Sequence, residues 1–204
     1  IFGQKGGEDA TLSDQINVLG SHYGSFDFKL SYTTKDWGGH FYYQHYFNDK
    51  SGIEFANKSD GLWGIQIDLP ATPWLSKIVG EYLVTMNQSG PMHFIDFDHD
   101  KWEGGRGGGN DDYYNNGEYL TGFSYFNRGI GSPLIPAPEY NEDGILGFKN
   151  NRVKSWHIGA EGSINALLSY RVLFTAMNGW GTSYLPFLNK KYGTSTLIDI
   201  NYTH

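Results

Sequence analysis

The chain has 204 residues, enough for one domain of ordinary size. Twenty-eight glycines, 17% aromatic residues and a scarcity of Leu and Ala describe an all-β protein, and 22 acids against 15 bases argue against nucleic acid as a partner. The absence of cysteine excludes a disulfide scaffold and thiolate metal sites, and no run of about 20 apolar residues offers a transmembrane helix.

Residues 1 to 20 have no clear period and read as a loop with a helical turn around Leu12 to Val18. They lack the basic start and apolar core of a secretory signal, as a mature protein or a fragment would. From Gly24 the pattern turns regular. Phe26, Phe28, Leu30 and Tyr32 share one face while Ser25, Asp27, Lys29 and Ser31 share the other, which predicts a strand. A short turn at 34–39 leads into HFYYQHYF, residues 40–47, as the return strand. Residues 62–69 repeat the rule, with Trp63, Ile65, Ile67 and Leu69 opposite Gly64, Gln66 and Asp68, and Pro70 and Pro73 end it. Residues 76–87 form the next strand.

The stretch GEYLTGFSYFNR, Gly117 to Arg128, also alternates and predicts a strand, entered by the irregular run GGRGGGNDDYYNN. A Pro-punctuated segment, Ser132 to Gly144, cannot be a central strand. Strands resume at Lys154 to Gly162, Ala166 to Met177 and Thr194 to Tyr202. The sum is an antiparallel set of about eight strands. Asp27, Lys29, Asp68, Glu81, Glu161 and Arg171 lie on the polar face of these strands. A soluble sandwich and a membrane barrel both give this alternation. Aromatic residues at strand ends (Tyr23, Trp37, Trp63, Trp74, Trp156, Trp180, Tyr184, Tyr202) favour the barrel, whose girdles they match. The short turns at 34–39, 70–75 and 162–165 should then share one side. The strand list puts the third on the other side, which asks for a further crossing at Ile145 to Lys149 or a Pro-rich segment folded into the lumen.

Several motifs carry chemistry. Asp111, Asp112, Tyr113, Tyr114, Asn115 and Asn116 combine acids, amides and rings, the groups that take sugar hydroxyls and stack on a pyranose face; an aromatic-anchored, Asx-rich turn has the same composition. Arg128 and Arg152 supply cations for acidic sugars or for ion pairs, and Arg171 suits pairing with Glu161. Asp96, Asp98, Asp100 and Glu103 space carboxylates as a calcium loop does, but Lys101 stands where the turn glycine belongs. Gly104 to Gly109 lacks the Lys-Ser/Thr of a phosphate loop. Ser155, His157 and Glu161 share a strand face and could be assembled into a catalytic set, but nothing in their spacing favours that over chance, and the chain has no G-x-S-x-G or H-E-x-x-H. Three Asn-x-Ser/Thr triplets, at Asn57, Asn87 and Asn201, carry little weight in so Asn-rich a chain.

The phrases GLWGIQIDLP (61–70), EYLVTMNQSGP (81–91), GGGNDDYYNNGEYLTGFSYFNRGIGSPL (107–134), ILGFKNNRVKSWHIGAEG (145–162) and SYRVLFTAMNGWGT (169–182) together resemble the Wzi-type capsule-assembly family in its Bacteroidota form. The resemblance implies an antiparallel transmembrane β-barrel in the bacterial outer membrane, non-enzymatic and without cofactors. It further implies a lectin that tethers capsular or surface polysaccharide, in contact with outer-membrane lipid. Family barrels are larger than eight or nine strands can close, so residues 1–204 are expected to be the later portion of a longer barrel protein; the alternative is a small relative of the family. The alternative function is an outer-membrane channel or pore for a small polar substrate, with the polar face lining it.

Overall fold

The computed structural model describes residues 6–9, 23–48, 50–88, 90–91, 93–95, 106–108, 112–116 and 120–203. Four strands come first: β1 (Gly24–Thr33), β2 (Gly38–Phe47), β3 (Gly61–Asp68) and β4 (Lys77–Val84). Short bridges follow: β5 (His93–Ile95) with β6 (Arg106–Gly108), β7 (Ser124–Tyr125) with β8 (Arg128–Gly129), and β9 (Glu139–Tyr140) with β10 (Leu146–Gly147). Three long strands close the chain: β11 (Val153–Ser163), β12 (Leu168–Gly181) and β13 (Pro186–Tyr202). The long strands make one seven-stranded antiparallel sheet in the order β1-β2-β3-β4-β11-β12-β13. The protein is therefore all-β and built on a meander, with residues 85–152 inserted between two neighbouring strands. Among the described residues no ladder joins β1 to β13, so the sheet has two edges.

Among the described residues, the strand expected at 117–128 does not enter this sheet. Residues 117–119 lie outside the described set, and Leu120 and Thr121 form a turn. Ser124 and Tyr125 then pair only with Gly129 and Arg128. The alternation there reflects loop side chains, with Phe126 and Asn127 turned at φ 47° and 59°. Removing this strand resolves the parity conflict. Connections 34–37, 69–76 and 164–167 then fall at one end, and the longest connections, 48–60 and 85–152, at the other. No crossing is made by Ile145 to Lys149, where only Leu146 and Gly147 bridge back to β9. The expected helical turn at Leu12 to Val18 and the acidic loop at 96–103 lie outside the described residues.

Because neighbours are in register, each face can be read rung by rung. One rung of the polar face runs Asp68, Lys77, Glu161, Arg171, Asp199 across five strands. Opposite charges alternate along it, with Lys77 Nζ 3.0 Å from Glu161 and Arg171 3.1 Å from Asp199. Arg171 thus stands beside Glu161 in register, while its ion pair is with Asp199. The next rung but one runs Lys29, Tyr42, Gly64, Glu81, His157, Thr175. Tyr42 lies flat across Gly64 and donates its hydroxyl to Glu81, one strand further on. A Cβ at position 64 would fall inside the Tyr42 ring, which explains a glycine in mid-strand.

The opposite face is apolar over all seven strands, and much of it is bare. Leu30 is 64% exposed, Ile158 58% and Ile198 67%, with Phe28, Ile65, Trp156 and Ile200 also exposed. Tyr43, Trp63, Tyr82 and Trp156 form one cross-strand row on that face. Its rings stack in pairs at 3.9 Å (Tyr43–Trp63) and 4.3 Å (Tyr82–Trp156). Tyr32, Trp37, Trp74 and Tyr202 are exposed near the short-turn end, with aliphatic side chains in the band between. The buried apolar cluster lies on the other side, where Tyr113, Tyr114, Ile135 and Phe148 of the insert pack with Leu83 and Val153.

Candidate functional site

The insert crosses the polar face at the long-connection end and is held there mainly by side chains. Asp112 is buried, and its carboxylate accepts from Tyr114 N–H at 3.0 Å, Asn115 N–H at 3.2 Å, Asn115 Nδ2 at 2.6 Å and Asn151 Nδ2. The Asn115 amide pairs with both backbone groups of Phe148: its Oδ1 accepts from the N–H at 2.7 Å and its Nδ2 donates to the carbonyl at 3.0 Å. A neighbouring strand would use the same two groups. The Tyr113 hydroxyl donates to Gln88 O and accepts from Asn57 Nδ2 at 2.6 Å, and it lies 3.2 Å from Tyr46 O of β2, where it meets the sheet. Gln88, itself buried, accepts from Tyr113 N–H and donates to Asn151 O at 3.2 Å.

Asp60 anchors the start of the insert. It is buried, and its carboxylate accepts from the N–H groups of Asn87 and Gln88, each at 2.7 Å. Burial raises its pKa above the ordinary carboxylate value, and those N–H groups offset only part of the rise. Burial likewise raises the Tyr114 hydroxyl.

The predicted sugar-contact residues therefore divide. Asp111 lies outside the described residues. Asp112 and Asn115 spend their polar atoms inside the insert, which is the Asx-rich turn reading of the motif. Tyr113 and Tyr114 are buried but line a cavity, and Asn116 is half-buried beside them in sequence. Arg152 donates from Nε to Met86 O at 3.1 Å. Arg128 is exposed at the base of a two-residue hairpin whose Tyr125 and Phe126 are 69% and 81% exposed. The rings of Tyr125 and Phe126 meet edge to face at 4.5 Å. The sequence does not mark this exposed tip: the period of two predicts a strand there, and the Phe-Asn pair gives no glycine signal for a turn.

The cavity measures about 670 Å³ and lies between the insert and the polar face of the sheet. Ser155, His157, Glu81 and Thr175 contribute its polar floor. Ser155 and His157 do share this face, as the alternation predicts, but Glu161 is two rungs from His157 and engaged with Lys77. His157 instead faces Glu81 in register and hydrogen-bonds through Nδ1 to Thr175 Oγ1 at 2.7 Å. Asn57, one of the three triplet asparagines, is wholly buried. Among the described residues no group of three or more His, Cys, Asp or Glu side chains could hold a metal ion, and no helix is long and apolar enough to cross a membrane, which says nothing of strands. No protein-family model, curated protein or solved structure matches the chain.

Proposed function

We propose that this sheet is part of the wall of a bacterial outer-membrane β-barrel, and that the protein holds capsular or surface polysaccharide at the cell surface without chemical turnover. The observation that carries the reading is the bare apolar face spanning all seven strands, with aromatic rows toward either end. Soluble domains rarely leave so large an apolar face uncovered, whereas hydrocarbon is its natural partner. Short turns at one end and long connections at the other fit the periplasmic and extracellular sides. The resemblance of the 107–134 stretch to the Wzi-type family supplies the polysaccharide.

The contact point on this reading is the hairpin tip. Tyr125, Phe126 and Arg128 offer exposed rings for a pyranose face and a cation for an acidic sugar. Both turn residues hold a left-handed backbone without glycine, a cost that such loops bear where they display side chains. Two measurements test the proposal. Alkaline carbonate should leave the protein in the membrane pellet; release into the supernatant overturns the membrane assignment. Purified capsular polysaccharide should be retained by the wild type and lost by the Tyr125→Ala, Phe126→Ala, Arg128→Ala triple variant. Equal retention overturns the contact point.

One observation favours the channel as a second reading. The rung Asp68–Lys77–Glu161–Arg171–Asp199 resembles the charged lining of a pore. Stepwise conductance in planar bilayers would support it, and electrically silent bilayers would count against it.

A further inference from the structure

We propose that the cavity beneath the insert binds a small amphipathic molecule: an aryl or short alkyl body bearing a hydroxyl or amine head. Its volume of about 670 Å³ lies in the ~300–1,000 Å³ range of small-molecule sites. The walls are apolar, formed by Tyr46, Leu62, Leu83, Tyr114, Phe123 and Leu134, which suit a flat or flexible hydrocarbon body. A polysaccharide, polar on every side, would leave such walls unmatched.

The polar groups gather at one place. Glu81, His157 and Thr175 are consecutive on one rung, and Ser155 sits on the next, beside Leu83. Ser155 is 2% exposed, and among the described residues its Oγ has no hydrogen-bond partner. A buried hydroxyl left unpaired is destabilising, so a ligand group that reaches it recovers that loss. Tyr42 donates to one oxygen of Glu81, and among the described residues no cation lines the cavity. Thr175 and His157 already bond each other at 2.7 Å.

This floor selects the head group. A ligand hydroxyl can donate to Glu81 and accept from Ser155, and an ammonium can donate to both. A carboxylate head would meet Glu81 across a low-dielectric space and be repelled. The site thus differs from the hairpin tip in residues and in ligand class, and it stands or falls apart from the polysaccharide reading.

Three water-soluble probes with one body and three heads test it: 2-phenylethanol, 2-phenylethylamine and phenylacetate. Each is titrated calorimetrically into the full chain held in amphipol, at neutral pH. The alcohol and the amine should bind saturably, and phenylacetate about tenfold or more weaker. Glu81→Gln should weaken the amine and strengthen phenylacetate, opposite movements that a merely structural role would not give. Ser155→Ala should weaken the alcohol about fivefold and leave phenylacetate unchanged. Equal affinity for all three probes, uptake that never saturates, or a Glu81→Gln variant that shifts all three together overturns the proposal. If either variant fails to fold, the order of the three wild-type affinities decides.

Discussion

The seven-stranded sheet and the 85–152 insert are built by different chemistry. Backbone ladders hold the sheet, and side chains only choose its faces. In the insert the ladders shrink to two- or three-residue bridges, and Asp112, Asn115, Gln88 and Asn151 do the joining. Repeated backbone pairing tolerates changes of side chain, whereas a knot tied by three amides and one acid depends on each of them. The insert should therefore fail by single substitutions that leave the sheet intact.

The largest expected effect is Phe148→Ala. Phe148 is 2% exposed and packs against Tyr114 at 5.0 Å between centroids. Truncating it should cost about 3–5 kcal/mol and open 112–152 to protease while the strand signal in circular dichroism persists. Loss of the strand signal at the same denaturant concentration would show that insert and sheet are one unit. Asp112→Ala comes next, at about 2–3 kcal/mol, because it strands several buried donors at once. Its cleavage pattern should match that of Phe148→Ala.

The sheet is tested by Gly64→Val, which must push Tyr42 off Glu81. We expect a cost of about 1–3 kcal/mol, read as a lower midpoint in urea with the insert still docked. Arg171→Gln should change stability by about 1 kcal/mol or less, since its pair with Asp199 is half-exposed, and the change should fade in high salt.

The smallest effect is one of pH. The folded-state pKa of Asp60 is raised by burial, so the protonated form is favoured on folding. Its contribution to stability is fully present below the ordinary carboxylate value and is lost as pH rises through the raised value. Wild-type stability relative to Asp60→Asn should therefore grow as pH falls through that window. A flat difference would mean that the N–H groups of Asn87 and Gln88 cancel the burial.

The same division explains what could be read from the sequence. The strand at 24–33 and those near 40–47, 62–69, 76–87, 154–162 and 166–177 follow from period two, because a sheet with unlike faces imposes it on every residue. The last strand starts at Pro186, earlier than Thr194, because residues 186–193 belong to an edge where Asn189, Lys190 and Lys191 break the alternation. The strand expected at 117–128 had the period, but among its described residues only Ser124 and Tyr125 are paired, in a local hairpin. Nothing local distinguishes Tyr125 in a hairpin tip from Tyr125 in a sheet. The DDYYNN run was legible as special, but its service as internal joinery depends on Asn151 and Phe148, more than 30 positions away, and such pairings leave no periodic trace.

The sheet is nearly flush at its short-turn end and uneven at the other. β11 begins at Val153, opposite Gly179, while β12 runs on to Gly181 and β13 reaches back to Pro186. A bilayer needs only about 9–11 residues of tilted strand, so the 14 and 17 residues of β12 and β13 overshoot it. In the proposed orientation this tall hairpin stands as a fin above the lipid. It carries Lys190 over the Tyr192 ring at 4.9 Å and Lys191 over the Phe187 ring at 4.3 Å. Lys190 shares the apolar face with Ile198 and Ile200, and Lys191 the opposite one. It is therefore the Lys190 ammonium, propped on its ring at that height, that would sit among the phosphates of the outer leaflet, mooring one flank of the rim to the lipid around it.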